Sequence, residues 1–321
     1  MKPFAPHFII LEDVAVYGHG DIMTLDGTSH YLGTCRQFGA PGFDSINIKR
    51  NDVVGFIYEP VINLVTLWTE NYLNAMLSFL PRYLSLLPIL KKYPDIIIAK
   101  NMFRTRAQVY VEPILNYYGI TPYRIKQDTN IADRKLNFMN IEYGKVYFMK
   151  TLIAPISTCK FMPKKAVTMI RTAVHSIYAL NTSTPQTGII ISDRKDMEEL
   201  YKRLTSSYGI SNVMKYSTKL GSNPVLIYQS LEQTVRMFNQ CKLFIAPHGA
   251  ALANIMFMNP GATVIEIRVE TPKSWYFSQL SSLVKVNYQT SWTDDSSTST
   301  MVKFSIDDVL EKTSKVMNIM D

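Results

Sequence analysis

This sequence predicts an α/β fold built on parallel sheet, and three observations lead there. Short apolar runs such as Asp95–Ala99 (DIIIA), Gly188–Ser192 (GIIIS) and Leu243–Ala246 have strand length without polar alternation, the pattern of strands covered on both faces. Segments of helical periodicity separate them, which favours strand-helix-strand crossovers. The 321-residue chain is 47% hydrophobic and 19% charged, enough apolar side chain for two cores. At about 150 residues per domain, two domains are expected, with a boundary near residues 155–165.

Taken in order, Asp13–Tyr17, Ser45–Lys49 and Val53–Tyr58 read as strands or hairpins in a Gly-rich opening stretch. Leu67 to Lys92 turns helical, with Leu73, Met76, Leu77 and Leu80 at helical spacing and Pro81 and Pro88 expected to kink or divide it. Pro113 fits the first turn of a helix running to Tyr118, Gly119 caps that helix, and Ile120 starts a strand. Lys145–Phe148 reads as a strand, and Pro155 begins a connection. Pro163 opens a helix to about Leu180, and a charged helix is expected from Arg194 to about Ser206. Ser230 and Gln233 form a capping box for a helix whose Leu231, Val235 and Phe238 share one face. Beyond Leu243–Ala246 come a helix at Gly249–Phe257, a strand at Thr263–Arg268, a helix at Ser274–Leu280 and a strand at Val284–Tyr288. Thr290–Thr300 reads as a polar surface loop, and Ser305 begins a last amphipathic helix.

Composition narrows the classes of function. The mean hydropathy is near zero, which excludes a disordered or collagen-like chain. No run reaches about 18 apolar residues, so no membrane span is expected. The apolar run Phe8–Leu11 is too short for the core of a signal peptide. Cys35, Cys159 and Cys241 are scattered, with no zinc spacing and no sign of a disulfide framework. A soluble protein of a reducing, cytoplasmic compartment is therefore expected. The formal charge of +8 favours anionic partners such as nucleotide-sugars, nucleic acid or lipid headgroups. The basic residues are dispersed and match no nucleic-acid-binding pattern, so no specific nucleic-acid partner is expected. Peripheral docking on anionic membrane is compatible with the charge.

The stretch richest in chemistry is Cys241 to Arg268. An apolar strand ends at Pro247-His248-Gly249-Ala250-Ala251, where a helix starts. Small residues there let the backbone approach a ligand, and the free N–H groups of a first helical turn favour an anion. His248 can add a hydrogen bond or a charge. Glu266 sits inside the otherwise apolar strand TVIEI, so its carboxylate needs partners: ribose hydroxyls of a ligand, or an ion pair within the protein.

The string Pro247-His248-Gly249-Ala250-Ala251-Leu252-Ala253-Asn254, with Met256-Phe257-Met258, Pro260-Gly261 and Val264-Ile265-Glu266-Ile267, resembles the signature of glycosyltransferase family 61. That pattern reads approximately HGAGLTN, then PG, then V-I-E-I. Ala251 stands where the family usually has Gly, and Ala253 where it commonly has Thr. Trp68–Tyr72 through Leu80-Pro81-Arg82, Leu115–Ile120, Lys145–Pro155 and Ile189–Arg194 resemble further family segments.

The resemblance implies a GT-B fold, two Rossmann-like domains facing across a cleft, with residues 1–158 on the acceptor side and 159–321 holding the nucleotide-sugar. It implies inverting transfer, typically from UDP-linked GlcNAc or xylose, to a glycan or protein-linked acceptor, with no cofactor and no metal. Arg194, His248, Gly249, Ala250, Ala251, Asn254 and Glu266 are then the donor-binding residues. The family's segment has a His followed four residues later by Asp or Glu, and the aligned positions here are Asn74 and Ser78, neither of them a base. Glu70, Asp21, His19 and His30 are the remaining candidates for catalytic base. Tyr17, Tyr31, Trp68, Trp275 and Tyr276 could stack on acceptor sugars. The alternative is a catalytically inactive GT-B domain that binds a nucleotide-sugar or glycan.

Overall fold

The computed structural model describes residues 8–17, 22–24, 29–30, 53–64, 72–93, 96–101, 105–119, 138–141, 145–155, 164–181, 186–192, 197–207, 210–216, 230–269, 276–293 and 304–318. The chain folds into two compact units, Met1–Ile170 and Arg171–Asp321. Both are mixtures of sheet and helix.

The first unit carries β1 (Phe8–Tyr17), β2 (Ile22–Thr24), β3 (Ser29–His30), β4 (Val53–Ile57) and β5 (Val61–Asn63). After these come α1 (Tyr72–Asn74), a π-turn (Ala75–Phe79), α2 (Leu80–Ser85) and α3 (Leu87–Lys92). The unit's next elements are β6 (Ile97–Asn101), α4 (Thr105–Tyr117), β7 (Phe138–Ile141) and β8 (Val146–Pro155). Strand order is β3-β2-β1-β8-β5-β6-β7, with β4 beside β8. The sheet is not purely parallel: β1 runs antiparallel to both β8 and β2, and β2 to β3. For the β1-β2 and β2-β3 pairs the physical reason is connection length, since the few residues that join them permit a hairpin but no crossover. From β8 to β7 the pairing is parallel. Val14, Val16, Ile22, Val61, Tyr147, Met149 and Leu152 make a continuous core.

Some sequence expectations for this unit hold and others change. The helical stretch is divided as expected, with Pro81 and Pro88 each in the first turn of its own helix. The π-turn just before Pro81 has no signal in the sequence. There the N–H of Leu80 bonds to the carbonyl of Ala75, five residues back. A proline ring crowds the turn before it and supplies no N–H, and a wider turn absorbs both defects. The helix expected to begin at Pro113 instead begins at Thr105 and carries Pro113 inside. Burial of Val111, Ile114 and Leu115 holds it through the proline. Strand β8 runs on to Pro155 because β1 pairs with it as far as Phe8. Gly119 has φ +75, as a left-handed cap requires. The strands expected at Ser45–Lys49 and from Ile120 lie outside the described residues.

The division between the units falls within α5 (Lys164–Ile177). The second unit continues with β9 (Gly188–Ser192), α6 (Glu198–Lys202), a π-turn (Arg203–Ser207) and β10 (Val213–Tyr216). Next are α7 (Leu231–Asn239), β11 (Cys241–Pro247), a 3₁₀ helix (Ala250–Phe257) and β12 (Thr263–Val269). The chain closes with α8 (Tyr276–Val284), β13 (Asn287–Thr293) and α9 (Ile306–Met317). All pairings are parallel in the order β10-β9-β11-β12-β13, a doubly wound topology. One sheet face, with Ile189, Ile191, Leu243, Ile245, Ile265 and Ile267, packs under Leu200 of α6 and Val309 and Leu310 of α9. The other takes α7, whose Phe238 ring meets Phe244 at 4.9 Å. Fully burying each such side chain is worth about 1.5–3 kcal/mol.

The capping box forms at Ser230 and Gln233, and Ser305 caps α9. The expected strand at Val284–Tyr288 is shifted. Val284 ends α8, Lys285 turns at φ +61, and β13 pairs with β12 from Asn287 to Thr293. Thr290–Thr293 is thus strand and not surface loop, because the neighbouring strand offers a ladder of that length.

Candidate active site

In the second unit the chain leaves β9 toward β10 on one side and β11 toward β12 on the other. The connections diverge at the carboxyl ends of two adjacent strands, the topological position at which doubly wound sheets bind ligands. Ile191 of β9 is level with Ile245 of β11, so Ser192 and Pro247 end their strands side by side. The Pro247–Ala251 turn follows one of these ends. Arg194 lies two residues beyond the other and is outside the described residues.

The N–H of His248 donates to the carbonyl of Ile267 at 2.8 Å, extending the ladder one residue past β11. The chain then enters the 3₁₀ helix, whose first bond runs from the N–H of Leu252 to the carbonyl of Gly249 at 3.1 Å. The helix expected here is therefore of the tighter kind, and i→i+3 bonding lets Leu252, Ala253, Ile255, Met256 and Phe257 all be buried in a short connection. The N–H groups of Gly249, Ala250 and Ala251 precede that first bond, so the 3₁₀ ladder does not use them. Gly249 and Ala250 are half-buried, and Ala251 is buried.

Parallel pairing sets Ala246 of β11 level with Glu266 of β12, and Glu266 level with Thr290 of β13. Alternation then brings His248, Glu266 and Tyr288 to one sheet face. Glu266 is fully buried. Its Oε1 meets His248 Nδ1, and its Oε2 accepts the hydroxyl of Tyr288. The sequence leaves ribose hydroxyls or an ion pair as partners for the buried carboxylate, and protein groups engage both oxygens. Burial, then the bond to Glu266, pushes the Tyr288 phenol well above its ordinary value, with Arg268 opposing through its own hydrogen bond and charge. The phenol therefore stays a donor. Arg268 also lies under the half-exposed Trp292 ring, 5.2 Å from its centroid.

The His248 side chain is 45% exposed. With Nδ1 turned inward, Nε2 is on the free side of the ring, and the edge of Phe277 confines the ring at 5.2 Å. Asn254 is fully buried, and its amide donates to the carbonyl of Ala251 at 2.9 Å, so it braces the helix start from within. At the other end of that helix, Arg171 of α5 donates to the carbonyls of Met256 at 2.5 Å and Met258 at 2.8 Å. The Asn259-Pro260-Gly261 turn is held by reciprocal bonds between the buried Asn239 and Asn259.

In the first unit, His19, Asp21 and Glu70 lie outside the described residues, as do Tyr31, Trp68 and, in the second unit, Trp275. His30 closes β3, paired with Ile22. Asn74 ends α1, and Ser78 is buried in the π-turn with no partner for its hydroxyl. Tyr17 ends β1, and Tyr276 opens α8 against Phe277.

Sequence reasoning missed Tyr288, Arg268, Arg171 and Phe277. Tyr288 could have been found only through strand register, since it stands 22 positions from Glu266 with no local motif around it. No described helix is long and apolar enough to cross a membrane.

Among solved structures, the glycosyl transferase family 9 protein from Veillonella parvula DSM 2008 is 10% identical, over 82% of this chain and 98% of that one, with a TM-score of 0.39. No curated protein matches the chain. The family model described as Glycosyltransferase 61 matches residues 72–265, more than half of the chain. Running from the helices after β5 into the strand that holds Glu266, that match shows that the chain belongs to the glycosyltransferase 61 family.

Proposed function

We propose that this chain is an inverting, metal-independent glycosyltransferase of GT-B type. It moves a GlcNAc- or xylose-like sugar from a UDP-sugar to a glycan or protein-linked acceptor. The observation that carries this reading is the meeting of His248 and Glu266 just past β11, beside the N–H groups that precede the first bond of the 3₁₀ helix. The diphosphate lies against the amides of Gly249, Ala250 and Ala251, where backbone donors and helix dipole favour negative charge. His248 Nε2 and Arg194 add donors that strengthen as the leaving diphosphate gains charge. Glu266 acts through His248, and Asn254 by bracing the turn.

Glu70 is the preferred catalytic base. The connection that contains it leaves β5 after Leu64, at the carboxyl end of the parallel strands. The connection with His19 and Asp21 joins Tyr17 to Ile22, and Tyr17 pairs with Val146 at the amino end of β8, seven residues from the level of β5. That is roughly 23 Å along a strand. His30 pairs with Ile22 at that same end.

A thermal-shift panel of UDP, GDP, CDP and dTDP sugars tests the donor, because a nucleotide bound to the folded state raises its melting temperature. UDP compounds are expected to shift it; a shift with another nucleotide and none with UDP at millimolar concentration refutes the donor. His248→Ala and Glu266→Ala should each weaken UDP binding at least tenfold, about 1.4 kcal/mol. Glu70→Gln should abolish sugar transfer and leave UDP binding intact.

The burial of Ser78, where the family carries an acid, favours a second reading, a nucleotide-sugar-binding domain without turnover. UDP release in the presence of acceptor separates the two.

A further inference from the structure

We propose that Tyr288 is a positioning residue for His248, acting through Glu266. The role rests on the donor-site reading for its ligand, but its first readout needs none.

A buried carboxylate with one partner can turn about its last bond or take up a proton. Here Tyr288 holds Oε2, which commits Oε1 to His248 Nδ1. An ionised carboxylate at Nδ1 selects the ring form that carries its proton there, and Nε2 is then the atom offered outward. The phenol is pushed up by burial and by the carboxylate, so it donates and does not compete for the proton. Arg268 bonds the phenol in turn and lies under Trp292, which fixes the far end of the chain. Phe277 blocks the ring from swinging off Glu266. Strand register holds Glu266 and Tyr288, and the bond from the His248 N–H to the Ile267 carbonyl ties His248 to the same ladder one residue past β11.

Nitrogen-15 NMR of imidazole-labelled protein reads the ring directly, with His248 assigned by its loss in His248→Ala. At pH 8, where histidine is ordinarily neutral, the wild-type ring should carry its proton on Nδ1 and exchange it slowly. In Tyr288→Phe that form should give way to a mixture, and the Kd for UDP should rise about tenfold. A folded Tyr288→Phe protein with wild-type tautomer and exchange overturns the role. A variant that does not fold leaves a measurement on the wild type: the Tyr288 hydroxyl proton should appear as a slowly exchanging downfield signal, and its absence overturns the role. UDP binding that never occurs, together with the expected tautomer change, rejects the donor reading and upholds Tyr288 as the residue that positions His248.

Discussion

Two of the stretches that resemble the family, Tyr72–Arg82 and Leu243–Ile267, differ in where their polar atoms go. In the second, β11 hands His248 to the surface with nearly half its side chain in solvent, and Glu266 lies directly behind it. In the first, Ser78 and Arg82 are sealed among Phe79, Leu80, Tyr83 and Leu84. One stretch brings a side chain to the carboxyl end of a parallel sheet, and the other makes a helix that buries Ser78 and Arg82. The two stretches therefore differ in exposure: His248 reaches solvent, and Ser78 and Arg82 serve packing. Chemistry assigned to the first stretch by alignment alone has no exposed group at Ser78 to perform it.

The largest expected effect tests that contrast by restoring the family's acid. Ser78→Asp places a carboxylate at a site that is 3% exposed. Desolvation and overpacking should outweigh any pairing with the buried Arg82 four residues on, and the net cost should be about 3 kcal/mol or more. Urea unfolding measures it. A variant as stable as wild type would mean that the helix presents this position to solvent, and the contrast would fail.

What is readable in the sequence follows the range of the interaction. The capping box at Ser230 and Gln233 and the cap at Ser305 are local events, and both form where the residues place them. Gly188–Ser192 is a strand with the expected bounds, because an isoleucine run closed by turn residues has few alternatives. The approach of His248 to Glu266 is implied by two parallel strands ending at one edge. The π-turn before Pro81, the 3₁₀ bonding after Gly249 and the reach of β13 to Thr293 are not readable. Each is settled by packing or by a neighbouring ladder, and not by the residues themselves. Tyr288 is the sharpest case: its residue type is plain, but its partner is chosen by the register of β13 on β12.

A middle effect concerns what supports the turn after β11. Arg171 bonds the two carbonyls that end the 3₁₀ helix, whose side chains are apolar but for Asn254. Arg171→Met keeps the stem and removes both charged hydrogen bonds, at an expected cost of about 2–3 kcal/mol. The affinity of the folded fraction for UDP should change by less than about threefold, since the proposed nucleotide site lies at the opposite end of that helix. Equal losses of stability and affinity would make Arg171 part of the binding surface.

The smallest effect on stability is the most telling for ligand binding. Gly249 has φ 160 and ψ −172, extended backbone that any residue adopts. A Cβ built there would meet only the carbonyl of Pro247, at 3.9 Å. Neither conformation nor packing therefore asks for glycine at this position, unlike Gly119 and Gly261 with their positive φ. Gly249→Ala should leave stability unchanged or raise it by about 0.4–1 kcal/mol, through the lost freedom of the unfolded chain. If a diphosphate lies against this backbone, the added methyl meets it, and UDP affinity should fall about fivefold, roughly 1 kcal/mol. Stability and affinity then move in opposite directions in one variant, which a packing role for Gly249 cannot produce. Unchanged affinity would place the phosphates elsewhere along the β9–β11 edge, nearer to Arg194 than to the start of the 3₁₀ helix.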